Sequence, residues 1–537
     1  MPPLLRNLVG LNMPEVIKKA PEQSAPEEVS GVNFVNKRTG RWILVVAIIG
    51  SGMAFIDSTA MNVVVPVLQQ ELNATIPQVQ WVMEAYALFM SSLMLLGGAL
   101  GDRFGRKRIF ALGVVVFTVA SMWCGLSPST SQLIVARAFQ GVGGALLVPG
   151  SLAIITVSFS EEHRGRAIGT WSAFTAVTTA LGPILGGWLA QNISWRLVFF
   201  INLPLALIVL GVLFWRIPES KKENGTGGLD IWGSLFATLA LGCIVFALVD
   251  SGNIGFGHPK VIVPLVAGGI FFISFIIYEW RASSPMMPLS LFRSRTFSGA
   301  NLISFLYWAA WSSAIFFIPF NLIQLQGYSA AGVGLAFVPL VIALVLFSRW
   351  AGGTVARYGA KPAIIAGTIL ASIGFYLFTL PDIGGSYWTT IFPAITMLGI
   401  GMAIVISPLT TAVMSSVGLE ESGVASGVNN TVGRIAGLLA IAVMGVFALS
   451  TFNRNLDRDL DQLELPQETR QYIDSQRIKF LLIEIPDNVE PKTREIIRSS
   501  IDTSFLASYR LMMMISAGLV LLSTLVAWLT IEKRKPG

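Results

Sequence analysis

Gly98-Ala99-Leu100-Gly101-Asp102-Arg103-Phe104-Gly105-Arg106-Lys107 lies between two long apolar runs. One hydrophobic stretch ends at Gly97-Gly98, a few residues carry Arg103, Arg106, Lys107 and Arg108, and a second apolar stretch begins at Ile109. Small residues let two helix ends close on each other across so short a connection. A loop this basic between two membrane spans belongs on the cytoplasmic side. Asp102 is placed to neutralise a neighbouring arginine or to sit at a helix N-terminus. The string returns, worn down, as Gly352-Gly353-Thr354-Val355-Ala356-Arg357-Tyr358-Gly359-Ala360-Lys361, an offset of 254 (98 to 352). Glycine, arginine and lysine keep their relative places, whereas Asp102 has become Ala356.

Hydrophobic residues make up 53% of the 537 and charged ones 12%, the latter about half the globular norm. A soluble protein of this length does not have that balance. Cys124 and Cys243 both sit in apolar runs, which implies no disulfide framework. His163 and His258 leave no room for a histidine-built metal site, so neither metal nor cofactor is expected. The net charge of +7 would suit nucleic acid, but its cations lie in short loops between apolar segments, which decides against that partner.

Runs of about 20 apolar residues fall near 42–66, 80–101, 108–127, 132–157, 167–190, 198–216, 231–249, 260–279, 297–321, 331–350, 361–381, 387–413, 424–450 and 506–531. Fourteen spans put both termini on one side. The short loops of that side hold nearly all the loop cations, including Arg103, Arg106, Arg164, Lys221, Arg293 and Lys361, and the short loops opposite hold Arg196 and Lys260. The bias makes both termini cytoplasmic. Residues 1–40 are polar, carry both charge signs and lack an apolar core, so the first span itself serves as the insertion signal. The long outer loop 451–505 is mixed in charge, and Phe480-Leu481-Leu482-Ile483 and Ile496-Ile497 suggest short amphipathic helices within it.

A second repeat signal joins the first. Glu161-Glu162-His163-Arg164-Gly165-Arg166-Ala167-Ile168-Gly169 and Glu420-Glu421-Ser422-Gly423-Val424-Ala425-Ser426-Gly427 share glycines and alanine at an offset of 258 (165 to 423). Two matches at nearly one offset imply duplicated halves: a tail over 1–41, six spans over 42–216, two inserted spans with linkers over 217–296, six spans over 297–531, and a tail over 532–537. Related halves meeting at a central cavity are a common build of secondary transporters.

Four motifs now carry a resemblance that covers essentially residues 42–531. They are Asp57-Ser58-Thr59-Ala60-Met61-Asn62-Val63-Val64-Val65-Pro66 in span one, the loop Gly98 to Lys107, Arg137-Ala138-Phe139-Gln140-Gly141-Val142-Gly143-Gly144 in span four, and Gly182-Pro183-Ile184-Leu185-Gly186-Gly187 in span five. The chain resembles the major facilitator superfamily, in its fourteen-span drug:proton antiporter branch of the QacA/EmrB type. That resemblance implies an all-α membrane fold of two six-helix halves plus two inserted helices. It ties Arg137 to proton transfer and Gly182, Pro183, Gly186 and Gly187 to antiport. Thr178 stands where the longer antiporter pattern has glycine, which weakens export relative to import.

Ionisable side chains within a bilayer are expensive and usually face a cavity or a partner. Here they are Asp57, Glu84, Arg137 and Arg434. Asp57, Glu84 and Arg137 fall at similar depth in one six-span unit, where a carboxylate balanced between burial and a nearby arginine can take up and release a proton. A structural pair holding spans together is the plainer reading of the same residues. Asp102, Arg103, Gly105 and Arg106 form a candidate conformational latch at the cytoplasmic end. Gly182 and Gly186, spaced i, i+4, give a bare stripe for close helix contact. Asn62, Tyr307, Trp308 and Trp311 are candidate substrate-cavity residues, the aromatic ones able to stack on a lipophilic cargo.

The expected protein is a non-enzymatic secondary transporter of the plasma (inner) membrane that exports amphipathic compounds in exchange for protons. No Gly-x-x-x-x-Gly-Lys-Ser/Thr string is present, which leaves an ion gradient as the energy source. Its partners are a small amphipathic substrate, protons and the lipid bilayer, with a periplasmic adaptor subunit to be added in a double-membrane bacterium. The competing readings are the same fold exporting a lipid, siderophore or endogenous metabolite, a membrane-embedded enzyme, and a non-transporting sensor or scaffold.

Overall fold

The computed structural model describes residues 37–532 apart from 160, 220–229, 283–284, 286, 418–421, 464 and 487. The N-terminal tail to residue 36, the 220–229 linker and residues 533–537 therefore lie outside the described residues. Among the described residues there are helices and no strand. In chain order the long helices are α1 (Lys37–Glu71), α2 (Ile76–Phe104), α3 (Arg106–Leu126), α4 (Thr130–Ser158), α5 (Glu161–Asn192) and α6 (Leu197–Arg216). Next come α7 (Ile231–Ile254), α8 (Pro259–Arg281), α9 (Arg295–Leu325) and α10, in two pieces, Ala330–Ala336 and Val338–Tyr358. The remainder are α11 (Ala360–Leu377), α12 (Tyr387–Ser415), α13 (Ser422–Leu460) and α14 (Pro491–Thr530).

Twelve helices among the described residues are long and apolar enough to cross a membrane; α2 and α5 are helices of 29 and 32 residues. Helix starts are set by local chemistry at the ends of the apolar runs. Thr75 and Gln78 form a reciprocal capping box on α2, and Ser129, Asp230 and Ser294 cap α4, α7 and α9. Each satisfies backbone N–H groups that a helix start leaves free.

The duplication is visible in the backbone. Gly105, between α2 and α3, has φ +107°, and Gly359, between α10 and α11, has φ +80°. Both copies of the basic string keep glycine at the one position where the chain must enter positive φ. Packing repeats as well. In the first half α1 packs on α5, α2 and α3 on α4, and α6 on α1 and α3; in the second half α9 packs on α13, α10 and α11 on α12, and α14 on α9 and α11. The halves meet through the symmetric pairs α5–α10 and α2–α13, and α7 packs beside the second of these, against both α2 and α13.

The two faces of the bundle differ. At the face opposite the basic loop the halves share one hydrophobic core, in which Val64, Leu68 and Val79 join Phe316, Phe320 and Val333. Polar bridges reinforce it: Gln324 donates to Gln69 Oε1 at 2.9 Å, Gln80 to the Ile441 carbonyl at 3.1 Å, and the Ala331 N–H to Gln191 Oε1 at 3.0 Å. At the basic-loop face the first half keeps its own cluster around Ile43, Phe110 and Leu213, with no residue of the second half in it. The halves thus diverge from the middle of the bundle toward the basic loop.

The long loop is shorter than its sequence suggests, because α13 runs on to Leu460 and α14 begins at Pro491. Between them lie a helix over Gln467–Ser475 and a 3-10 turn over Arg477–Leu482; Ile496 and Ile497 belong to α14. Phe480 is buried and stacks between Phe452 and Phe505, so this segment is packed onto the second half rather than laid on a membrane surface.

Candidate functional site

The site begins with a helix that can be approached closely. α4 carries Gly141, Gly143 and Gly144 one turn after Arg137, and a Cβ on Gly141 would stand 2.5 Å from the Tyr86 carbonyl oxygen. The bare stripe lets α4 press on α2 and lays the Arg137 guanidinium over the Tyr86 ring, 4.2 Å from its centroid. From there Arg137 Nη1 donates to Asp57 Oδ2 at 2.5 Å and to Gln140 Oε1 at 2.8 Å, and Nε donates to the Val82 carbonyl at 3.1 Å. Gln140 Nε2 donates to Asp57 Oδ1 at 2.8 Å, so both oxygens of the carboxylate are engaged. The Tyr86 hydroxyl donates to the Ala54 carbonyl at 3.3 Å, one turn before Asp57 on α1. Asp57, Arg137 and Gln140 are all essentially unexposed.

A buried ion pair of this kind gains strength from low dielectric but bears a large desolvation cost. Neutralising Asp57 would leave the guanidinium without its counter-charge and loosen α1 from α4. The cluster therefore fastens α1 to α4 through a charge pair and the Gln140–Asp57 hydrogen bond. Gln140, which completes it, stands three residues after Arg137, where i, i+3 spacing puts both on one helix face.

Glu84 does not join them. Tyr86, two residues on and about 200° further round α2, faces Arg137. One turn before Glu84, Gln80 reaches α13, and one turn after it Leu88 packs with Leu241 and Val245 of α7 and Leu438 and Ala442 of α13. Glu84 thus lies on the side of α2 that faces the seam between the halves, is wholly buried, and neither carboxyl oxygen has a hydrogen-bond partner among the described residues. Position along a span is silent on direction around the helix.

The span-five glycines sit where two interfaces cross. A Cβ on Gly182 would collide with Thr59 Oγ1 of α1, and one on Gly186 would stand 2.7 Å from Ala60 Cβ. A Cβ on Gly187 would run into the Ala330 carbonyl oxygen, in the other half of the chain. Gly334 of α10 meets the Pro183 carbonyl in the same way, at 2.5 Å. One stripe thus packs α5 on α1 through Gly182 and Gly186, and on α10 through Gly187.

At the basic loop the Asp102 side chain lies outside the described residues. Arg103 is exposed and Arg106 half-buried. Glu219 accepts from the Lys107 N–H at 3.0 Å, a Cβ on Gly105 would stand 2.8 Å from its carboxyl group, and Lys107 Nζ donates to the Ile217 carbonyl at 2.6 Å. The chain following α6 therefore clamps the start of α3, a role for Glu219 that no loop motif announces.

Of the aromatic candidates, Tyr307 is 1% exposed and belongs to the core, while Trp308 and Trp311 are half-buried. Trp308 covers Gly433 of α13, where a Cβ would stand 2.8 Å from its ring. Asn62 is half-buried and donates to the Ser58 carbonyl at 3.4 Å. Arg434, the residue after Gly433, extends from the second half toward α2, and its Nη1 lies 3.4 Å from Met90 Sδ.

Comparison with known proteins agrees with this architecture. A sequence profile of the Major Facilitator Superfamily matches residues 47–441, and the chain belongs to that family. It is 32% identical over 411 residues to the tetracenomycin C resistance and export protein of Streptomyces glaucescens, covering 76% of each chain. It is 30% identical over 438 residues to the multidrug resistance protein Stp of Mycobacterium tuberculosis, covering 81% of each. Among solved structures, an inward-facing, unoccupied bacterial homologue of the human lysosomal transporter Spinster superposes with a TM-score of 0.63 at 17% identity, over 94% of this chain and 100% of that one. The protein is a multi-pass, all-helical membrane transporter rather than an enzyme.

Proposed function

We propose that this chain is a proton-coupled exporter of amphipathic small molecules, of the fourteen-span drug:proton antiporter branch. Relatives named for tetracenomycin C resistance and export, methylenomycin A resistance and cephamycin export support efflux as the direction. α2 and α5 supply the two spans beyond the twelve, and the basic loop faces the cytoplasm with both termini. The cleft then opens inward, ready to take cargo from the cytoplasm or the inner leaflet of the plasma membrane. Residues 42–216 and 297–531 act as the two moving halves, and α7 and α8, within 217–296, brace the α2–α13 seam.

The observation that carries this reading is the Asp57–Arg137–Gln140 cluster. A proton reaching Asp57 from outside breaks the pair with Arg137 and loosens α1 from α4, which lets the halves rock until the outer contacts at Gly187–Ala330 and Gln80–Ile441 close. Release of the proton to the cytoplasm from the inward-open cleft then re-forms the pair. Asp102, Arg103, Gly105 and Arg106, with Glu219 holding the loop, latch the inner end when the halves close there. Glu84, separated from the pair, is a second proton site only if the seam between the halves opens to water.

The test is flux in proteoliposomes with and without a pH gradient. Asp57→Asn keeps size and hydrogen bonding while removing titration, so uphill, gradient-driven transport should fall strongly and downhill substrate exchange should persist. Full uphill transport by Asp57→Asn would overturn the assignment, and its loss in Glu84→Gln instead would move the coupling role to Glu84.

A further inference from the structure

Arg434 is the one membrane-embedded cation among the described residues for which no carboxylate answers. Arg137 has Asp57, but among the described residues no ion pair involves Arg434, and its one hydrogen-bond partner there is the Met90 thioether. A thioether is a weak acceptor, and a guanidinium carries five donors and does not give up its proton. Buried or half-buried charges in membrane helices are expensive and normally matched, so this one has a use that appears only when something else arrives.

Its place in the cleft says what. At 1.5 Å per residue, Arg434 stands about 18 Å along α13 from Ser422 and Met90 about 21 Å along α2 from Phe104, whereas Arg137 stands about 32 Å along α4 from Ser158. The Met90–Arg434 contact is therefore nearer the basic-loop face than the Asp57–Arg137 pair, at the depth where the shared core ends and the halves diverge. On the same face of α13, i, i+3 and i, i+4 spacing puts Thr431 and Asn430 beside Arg434 toward the open end. Asn430 is exposed, and Thr431 Oγ1 is buried without a hydrogen-bond partner among the described residues. On the other side, the half-buried Trp308 lies over Gly433, the residue that precedes Arg434 on α13.

We propose that Arg434, with Thr431 and Asn430, receives an oxyanion on the cargo, a carboxylate or an acidic enol or phenol oxygen, while Trp308 takes its apolar body. The inference deepens the exporter reading and rests on it. As the halves close over the cargo, water leaves the cleft and the anion supplies a counter-charge to the guanidinium. An amphipathic cation, by contrast, meets a like charge there.

A pair of probes with one apolar body and opposite charge tests this: 1-pyrenebutyrate and 1-pyrenebutylamine, with binding to the purified full chain read by energy transfer from its tryptophans. The wild type is expected to bind the carboxylate at least about tenfold more tightly than the amine. Arg434→Gln should lose that preference without weakening amine binding, Arg434→Lys should recover part of it, and Met90→Leu should leave it within about twofold. Melting temperatures identify any variant that fails to fold, and the wild-type preference stands as a test by itself. Equal or tighter binding of the amine by the wild type, or a carboxylate affinity unchanged in Arg434→Gln, overturns the proposal. So does Met90→Leu matching Arg434→Gln, which would make the contact an interhelical bolt. Because binding is read at equilibrium with no gradient, these outcomes are separable from loss of proton-driven flux.

Discussion

Arg137 and Asp57, 80 positions apart in the chain, meet at 2.5 Å with neither side chain exposed, and Gln140 bonds to both. Breaking one partner of such a pair strands the other charge in the interior, which typically costs about 3–5 kcal/mol. Asp57→Asn keeps an acceptor in place, so its loss of stability should be near the lower figure, about 3 kcal/mol. Adding Arg137→Gln should restore part of it, with a coupling of about 1–3 kcal/mol in a double-mutant cycle followed by thermal unfolding in detergent. Strictly additive losses would mean that the pair contributes no mutual stabilisation.

Gly182 and Gly187 lie on one stripe but touch different halves of the chain, so leucine at each should act differently. Gly182→Leu pushes α5 off Thr59 of α1 and should lower the melting temperature. Gly187→Leu meets the Ala330 carbonyl across the interface between halves and should leave each half intact while forcing that end apart. Spin labels at Asn192 and Gln326 would report the second effect as a longer distance than in the parent. An unchanged distance would show that the α5–α10 contact does not hold this face closed.

Glu84 sits among apolar neighbours on α2, α7 and α13 with both carboxyl oxygens unpartnered among the described residues. Replacing a buried unpaired polar group by an apolar one of similar size removes a penalty of about 1–3 kcal/mol. Glu84→Met should therefore raise the melting temperature. A lower one would reveal a favourable contact of the carboxyl group in the folded protein.

Orientation is open to chemical labelling. With the basic loop inside, an impermeant thiol reagent applied to intact cells should modify a cysteine placed at Gln471 and spare one placed at Phe104, both of them exposed positions. The reverse pattern would turn the proposed topology over.

Hydropathy and the internal repeat suffice for the class of fold. The length and spacing of apolar runs leave helices as the way to satisfy every backbone group in lipid, and the recurrence of the Gly98–Lys107 string at Gly352–Lys361 announced two related halves. Gly105 and Gly359 show why that signal was legible: a turn needing positive φ keeps its glycine through divergence, even where Asp102 did not survive as an acid. Helix ends were read less well. Thr451 to Leu460 continues α13 on charged and apolar residues alike, because its apolar side is held by packing with Phe480 and Phe505 rather than by hydropathy.

Which charges meet depends on how the helices pack. Depth along a span follows from counting residues, but direction around a helix depends on which neighbour packs where. Asp57, Glu84 and Arg137 were therefore equivalent in the sequence, yet α2 carries Tyr86 toward Arg137 and Glu84 toward the seam. For the same reason Arg434 was indistinguishable from a residue with a partner until α13 was laid against α2. Ion pairing acts across space, between helices whose contacts no local pattern encodes.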